Sequence, residues 1–247
     1  SADVGLYASE DLAVRDIVSL HPNEFSSDKT MFDRLVRMQH FGLPTRLLDV
    51  TSNPLVALWF VTETSHRENE RHGSVQAMLI PRGRQRYYDS DRVSCMANLA
   101  NLKNSQKAAL FRNARKITSI EEFNKTPEAD MLVFHIGMEK PNFRPLINPF
   151  DLLHPVYEKL KMSNKRIVAQ SGVFLLYGTD VNRSNGEELT RSARVWIHED
   201  DKPDFRRELE MLGIHESFLL PEIDKSSKFI IDYYSPNVRG RNVDVLL

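Results

Sequence analysis

The sequence predicts an α+β fold, and three features of its 247 residues carry that prediction. Strand-like and helix-like segments follow one another irregularly, with no repeating β-α-β period. Glycine is sparse, ten in all, so tight hairpins should be few and helices many. One segment, Leu55 to Val61, is apolar on every face and reads as a buried helix. The expectation is a single mixed domain built around that central buried helix.

The elements are read in order. Residues 10–21 form a helix that Ser9 can cap, with Glu10 and Asp11 in the first turn and Pro22 beyond its end. In residues 30–41, Met31, Leu35, Met38 and Phe41 recur at helical steps, and Gly42 stands where a helix end favours a left-handed residue. Leu43–Val50 reads as a strand or extended loop. Asn53-Pro54 then opens the apolar helix, expected over residues 54–63 and nearly solvent-free. Val75–Ile80 and Met131–Ile136 read as buried strands, and residues 90–111 and 150–162 as helices. Strands over 173–177 and 193–197 follow. A helix over 203–212 stops at Gly213, with Leu209 and Leu212 as core contacts, and a last helix spans 221–231.

Composition excludes several classes. With 41% hydrophobic and 27% charged residues, the chain can bury a core and is not disordered by composition. Lys and Arg number 33 against 34 Asp and Glu, a net charge of −1. That balance argues against a broadly basic nucleic-acid surface, though not against a local basic groove. The lone Cys95 permits no intramolecular disulfide and no Cys-based zinc site. It reads as a buried structural thiol and fits a reducing, cytoplasmic setting. The apolar run is far shorter than the roughly 20 residues that span a bilayer, and the first residues carry no secretory pattern. No Gly-rich phosphate loop, Gly-x-Ser-x-Gly elbow or His-Glu-x-x-His occurs. The eight histidines show no i,i+4 pair, so no metal site is expected. Arg82, Arg84 and Arg86 with Tyr87 and Tyr88 read as a solvated loop or as a phosphate contact.

The run Met38-Gln39-His40-Phe41-Gly42-Leu43-Pro44-Thr45-Arg46-Leu47-Leu48-Asp49-Val50-Thr51, with Asn53-Pro54-Leu55-Val56-Ala57-Leu58-Trp59-Phe60-Val61, resembles the signature of the FRG domain family. That signature reads approximately M-Q-H-x-G-L-P-T-R-L-L-D-W-T-x-x-P-x-x-A-L-x-F-A. Further matches are Ser90-Asp91-Arg92-Val93, Arg166 to Phe174, Leu212-Gly213-Ile214 and Leu220-Pro221-Glu222-Ile223-Asp224. The resemblance covers about residues 10–230. The Phe-Arg-Gly that names the family is not found upstream of Gln39; Phe143-Arg144 is followed by Pro145.

The resemblance implies a mostly bacterial family, distantly similar to ADP-ribosyltransferases. It implies an NAD- or nucleotide-using effector of toxin or phage-defence type, or else a non-catalytic module that binds nucleotide or nucleic acid or regulates a partner. On the first reading NAD is the cofactor and a macromolecule the acceptor.

The candidate residues crowd at the head of the apolar helix. Arg46 and Asp49 form either a structural pair or a site in which the Arg46 fork clamps a pyrophosphate. Thr45 and Thr51 are hydroxyl donors, though Thr51 can instead cap the helix. Gln39 and His40 lie within reach, and His40 is either a hydrogen-bonded structural residue or a ribose contact. Gln170, where the resemblance places the third transferase motif, can orient a ribose hydroxyl but cannot act as a base.

Overall fold

The computed structural model describes residues 8–63, 72–159, 165–178 and 192–220. It is α+β, as the sequence predicts. The chain divides into two compact units: Ser1–Asp49, Met78–Lys161 and Val173–Arg191 form one, and Val50–Ala77, Met162–Gly172 and Ser192–Leu247 the other.

The first unit opens with helix α1, Glu10–Leu20, in which Ser9 makes no side-chain cap. Helix α2, Met31–His40, is fixed at both ends. Thr30 Oγ1 accepts from Asp33 N at 3.1 Å, and Asp33 Oδ2 accepts from Thr30 N at 3.1 Å, a reciprocal capping box. At its other end Gly42 has φ +86°, and Leu43 N and Gly42 N donate to the carbonyls of Met38 and Gln39. This is a Schellman ending, which needs a left-handed residue after the cap. Leu35 and Met38 are fully buried, whereas Phe41, at the next helical step, is 57% exposed because it already lies in the turn.

A four-stranded sheet takes the order β1-β5-β4-β3, with β1 Leu47–Thr51, β3 Gln85–Tyr87, β4 Val156–Lys159 and β5 Gly172–Leu176. Strand β4 runs parallel to β3 and antiparallel to β5. The predicted helix over 90–111 is two helices, α4 Asp91–Asn98 and α5 Asn104–Lys116, separated by a 3₁₀ turn at Leu99–Asn101. Of the helix expected over 150–162, the described residues hold a single turn, Pro149–Leu152, followed by β4; residues 160–162 lie outside the described residues.

Met131–Ile136 is not a strand. It lies inside helix α7, Pro127–Glu139, where α6 is the short helix Ile120–Phe123. Thr126 caps the amide of Ala129 and Pro127 takes the first turn, so the helix starts before the apolar run. Ala129, Leu132 and Ile136 are fully buried at helical spacing, while Met131, Phe134 and Met138 face solvent. An apolar run flanked by more apolar residues hid this period.

In the second unit the apolar helix α3 spans Pro54–Val61. It is not solvent-free. Val56 and Trp59 are buried, but Leu55 and Phe60 are 39% and 38% exposed. The reason is length: two turns pack on one side, against Leu209, Ile214, Leu219 and Leu220. Leu209 lies on helix α8, Lys202–Met211, which ends with Gly213 at φ +79°. Ile214 N donates to Leu209 O there, so both side chains of this Schellman ending enter the core. Leu212, expected in the core, is 66% exposed. Arg206 lies 4.3 Å over the Trp59 ring and donates to Thr62 Oγ1 at 3.2 Å. Strands β2, Gly73–Met78, and β6, Ser192–Ile197, form a separate two-stranded ribbon. The helix expected over 221–231 lies outside the described residues.

Trp59→Ala should lower unfolding stability by about 3–5 kcal/mol in urea titrations, and Leu55→Ala by less than half as much. Gly42→Ala should cost about 1–2 kcal/mol by the same measurement, because alanine pays the left-handed penalty.

Candidate functional site

The signature arginine is built into the first unit. Arg46 is 6% exposed. Its Nε donates to Glu10 Oε1 at 2.9 Å, and its Nη2 pairs with Glu10 Oε2. Nη1 donates to the carbonyls of Tyr177 at 2.9 Å and Gly178 at 3.1 Å. Helix α5 brings Lys107 Nζ within 2.7 Å of Glu10 Oε2. Burial opposes ionisation of Glu10, but the Arg46 and Lys107 cations outweigh it and hold the carboxyl below its ordinary range. Burial pushes the Lys107 ammonium down, with Glu10 pulling the other way.

Glu10 therefore takes the place the sequence assigned to Asp49. Arg46 immediately precedes β1 and turns inward, while Asp49 occupies an exposed position of that strand. The expected Arg46–Asp49 pair does not form. Thr45 Oγ1 donates to Gln39 Oε1 at 2.8 Å and accepts from Leu47 N at 3.2 Å, joining the end of α2 to β1. His40 is exposed and meets the Phe41 ring edge-on at 5.3 Å.

Thr51 and Gln170 belong to the second unit. Thr51 Oγ1 donates to the Gln170 carbonyl at 2.8 Å and accepts from Asn53 N at 3.0 Å. Asn53, not Thr51, caps α3 by accepting from Leu55 N at 3.0 Å. The Gln170 amide donates to Leu219 O at 2.9 Å. Thus Thr45 meets Gln39, and Thr51 meets the Gln170 main chain. Arg46 bonds to none of the other residues predicted for the site.

A cleft of about 210 Å³ opens elsewhere in the first unit. Asp91, Arg92, Phe143, Arg144, Asn148 and Asp151 give it its chemistry. Arg92 is held by Asp151 at 2.7 Å, and Asp91 by Lys140 at 2.9 Å. Arg144 is exposed, and among the described residues its guanidinium has no hydrogen bond or ion pair. Cys95 also lines the cleft. Burial, with Asp91 and Asp151 adding to it, pushes its thiol up to about 12, so the sulfur stays a thiol at neutral pH. The sequence reading met Phe143-Arg144 only as a misplaced fragment of the family name. Its neighbour Asn148-Pro149, a helix-start signal, was the available clue to an ordered wall.

One further buried group escaped the sequence reading. Glu158 on β4 is wholly buried, and neither carboxylate oxygen has a hydrogen-bond partner. Burial and the nearby Asp33 charge raise its carboxyl to about 8. Among the described residues, no group of three or more His, Cys, Asp or Glu side chains could hold a metal ion. No described helix is long and apolar enough to cross a membrane.

Residues 7–70 match the model of the FRG domain family. That segment is therefore similar to an FRG domain, and the signature from Gln39 to Val61 lies within it. No curated protein and no solved structure matches the chain.

Arg46→Ala should destabilise the protein by about 3–5 kcal/mol in denaturant titrations, because it removes one partner of a buried ion pair. Glu10 has a lowered folded pKa, so its contribution is present above the ordinary value of 4.5 and is lost as pH falls through the folded value. Glu10→Gln should accordingly be less stable at neutral pH and lose less stability on acidification than the wild type. Glu158 has the opposite sign. Its contribution is full below 4.5 and declines as pH rises toward about 8. Glu158→Gln should flatten the fall in melting temperature between pH 5 and 9.

Proposed function

We propose that the FRG domain signature serves here as scaffold, and that the chain is a non-catalytic binding module for a phosphate-bearing nucleotide. The observation that carries this reading is Arg144, an exposed, unengaged guanidinium at a cleft that also presents the Phe143 ring. A planar fork suits a phosphate, and an aromatic ring suits a base. The other arginine of the cleft is held by Asp151. The volume, about 210 Å³, falls below the roughly 300–1,000 Å³ of pockets that enclose drug-sized ligands, which favours a mononucleotide over a dinucleotide. The protonated Cys95 thiol offers no nucleophile. A cytoplasmic setting agrees with that single buried thiol.

The second reading is an NAD-using, ADP-ribosyltransferase-like effector of toxin or phage-defence type, which follows from the resemblance of the signature alone. It needs the Arg46 fork for a pyrophosphate, and that fork is engaged by Glu10 and two carbonyls. It also needs Gln170 to face a ribose, whereas the amide donates to Leu219 O. The residues at the signature do not fit NAD in this arrangement, and no catalytic step is assigned to them.

Calorimetric titration of the full chain with AMP, ATP, inorganic phosphate and NAD separates the readings. Binding of AMP or ATP that Arg144→Ala weakens about tenfold or more, with no consumption of NAD, is the expected result. Turnover of NAD by the wild type would establish the second reading instead.

A further inference from the structure

The ribbon of β2 and β6 carries a second surface, independent of the cleft. His72 and His198 meet at a tilt with ring centroids 4.4 Å apart, and Arg194 Nη2 donates to Gln76 Oε1 at 3.0 Å. As one number rises between these two contacts the other falls, so the strands run antiparallel. Alternate residues share a face of a strand. His72, Ser74 and Gln76 therefore share one face with Arg194, Trp196 and His198, and the register sets Trp196 opposite Ser74. Trp196 is 66% exposed in the middle of this face, and the Arg194 guanidinium lies 5.6 Å from its ring centroid.

This large indole is 66% exposed, so most of its apolar surface is not used in folding and is open to a ligand. What it offers is a rigid, flat π surface with a cation at one side. Carboxylates Glu199, Asp200 and Asp201 follow directly after His198, so negative charge is concentrated at the histidine end of the ribbon. An incoming phosphate is therefore favoured at the Arg194–Gln76 end and disfavoured at the other.

We propose that this ribbon face binds single-stranded nucleic acid, with a base stacked on Trp196 and a backbone phosphate on Arg194. Stacking tolerates any base, because every base has a π face, and it requires unpaired bases. One arginine gives little charge to release counterions. The log–log dependence of affinity on salt should therefore have a slope of only about −0.7, that of one phosphate on a single strand.

The protein carries its own reporter. Of its two tryptophans, Trp59 is fully buried and Trp196 is exposed. The test is a titration of the full chain with a 15-nucleotide oligo-dT and with a duplex of equal length, read by tryptophan emission and by anisotropy of labelled DNA. The expected result is saturable quenching by the single strand and little by the duplex. In the anisotropy assay, Trp196→Ala should weaken binding about tenfold or more, with an unchanged circular dichroism spectrum. Arg194→Ala should weaken it several-fold and flatten the salt slope. Arg144→Ala should leave it unchanged, which separates this surface from the nucleotide cleft. Undiminished oligo-dT binding by Trp196→Ala, equal affinity for duplex, or no binding of either DNA would overturn the proposal. So would a self-association of the chain that Trp196→Ala abolishes while oligo-dT fails to bind, since the face would then receive a second copy.

Discussion

The first unit depends on one carboxylate. Glu10 lies in the first turn of α1, yet it answers two cations delivered from far along the chain, Arg46 ahead of β1 and Lys107 on α5. Two buried cations without that anion would be prohibitive, and the carboxylate without them would protonate. Arg46 extends the cluster further. Its remaining donors satisfy the carbonyls of Tyr177 and Gly178, and Tyr177 N returns a bond to Arg46 O at 3.0 Å. The guanidinium thus closes backbone groups at the end of β5 that the sheet itself leaves open. Hydrophobic burial supplies the bulk of stability, but it is non-directional. The ion cluster fixes which segments meet.

The same economy runs through the rest of the signature. Thr45 and Gln39 satisfy one another across the turn after α2, and Gly42 supplies the left-handed residue that lets the turn form. In the second unit, Thr51 and Asn53 arrange the head of α3, one by holding the Gln170 carbonyl and the other by capping. Of the polar groups that looked like ligand contacts, Arg46, Gln39, Thr45, Thr51 and Gln170 each have a backbone or side-chain obligation, while Asp49 and His40 stand exposed. Part of the polar sequence beside an apolar helix is what its first turn requires, because the opening amides have no partner within the helix.

Local chemistry was legible in the sequence wherever it was punctuated. Asn53-Pro54, Gly42 and Gly213 marked helix ends that the structure contains, and the α+β class followed from the irregular order of elements. Uniform apolar runs were not legible. Leu55–Val61 reads as buried all round, but whether all faces are covered depends on how many elements reach it, which no local period records. Met131–Ile136 reads as a strand because apolar residues on both faces erase the contrast between periods of two and 3.6. Long-range pairing was invisible for the same reason. Asp49 was the nearest acid to Arg46 in sequence, while the true partner lies 36 residues away and looked like an ordinary first-turn acid.

That failure has a physical content that bears on function. A segment whose residue types are tightly specified can be specified by folding alone, when its side chains each have one buried partner. Arg46 satisfies this condition, with four of its five donors engaged. Arg144 and Trp196 do not. Neither is fixed by a carboxylate, and the described structure would stand without either of their terminal groups. Groups of that kind are the ones free to bind something else, and nothing in the local sequence around them announces it. In this chain the conspicuous signature serves the architecture, and both proposed recognition sites rest on side chains that the architecture leaves unused.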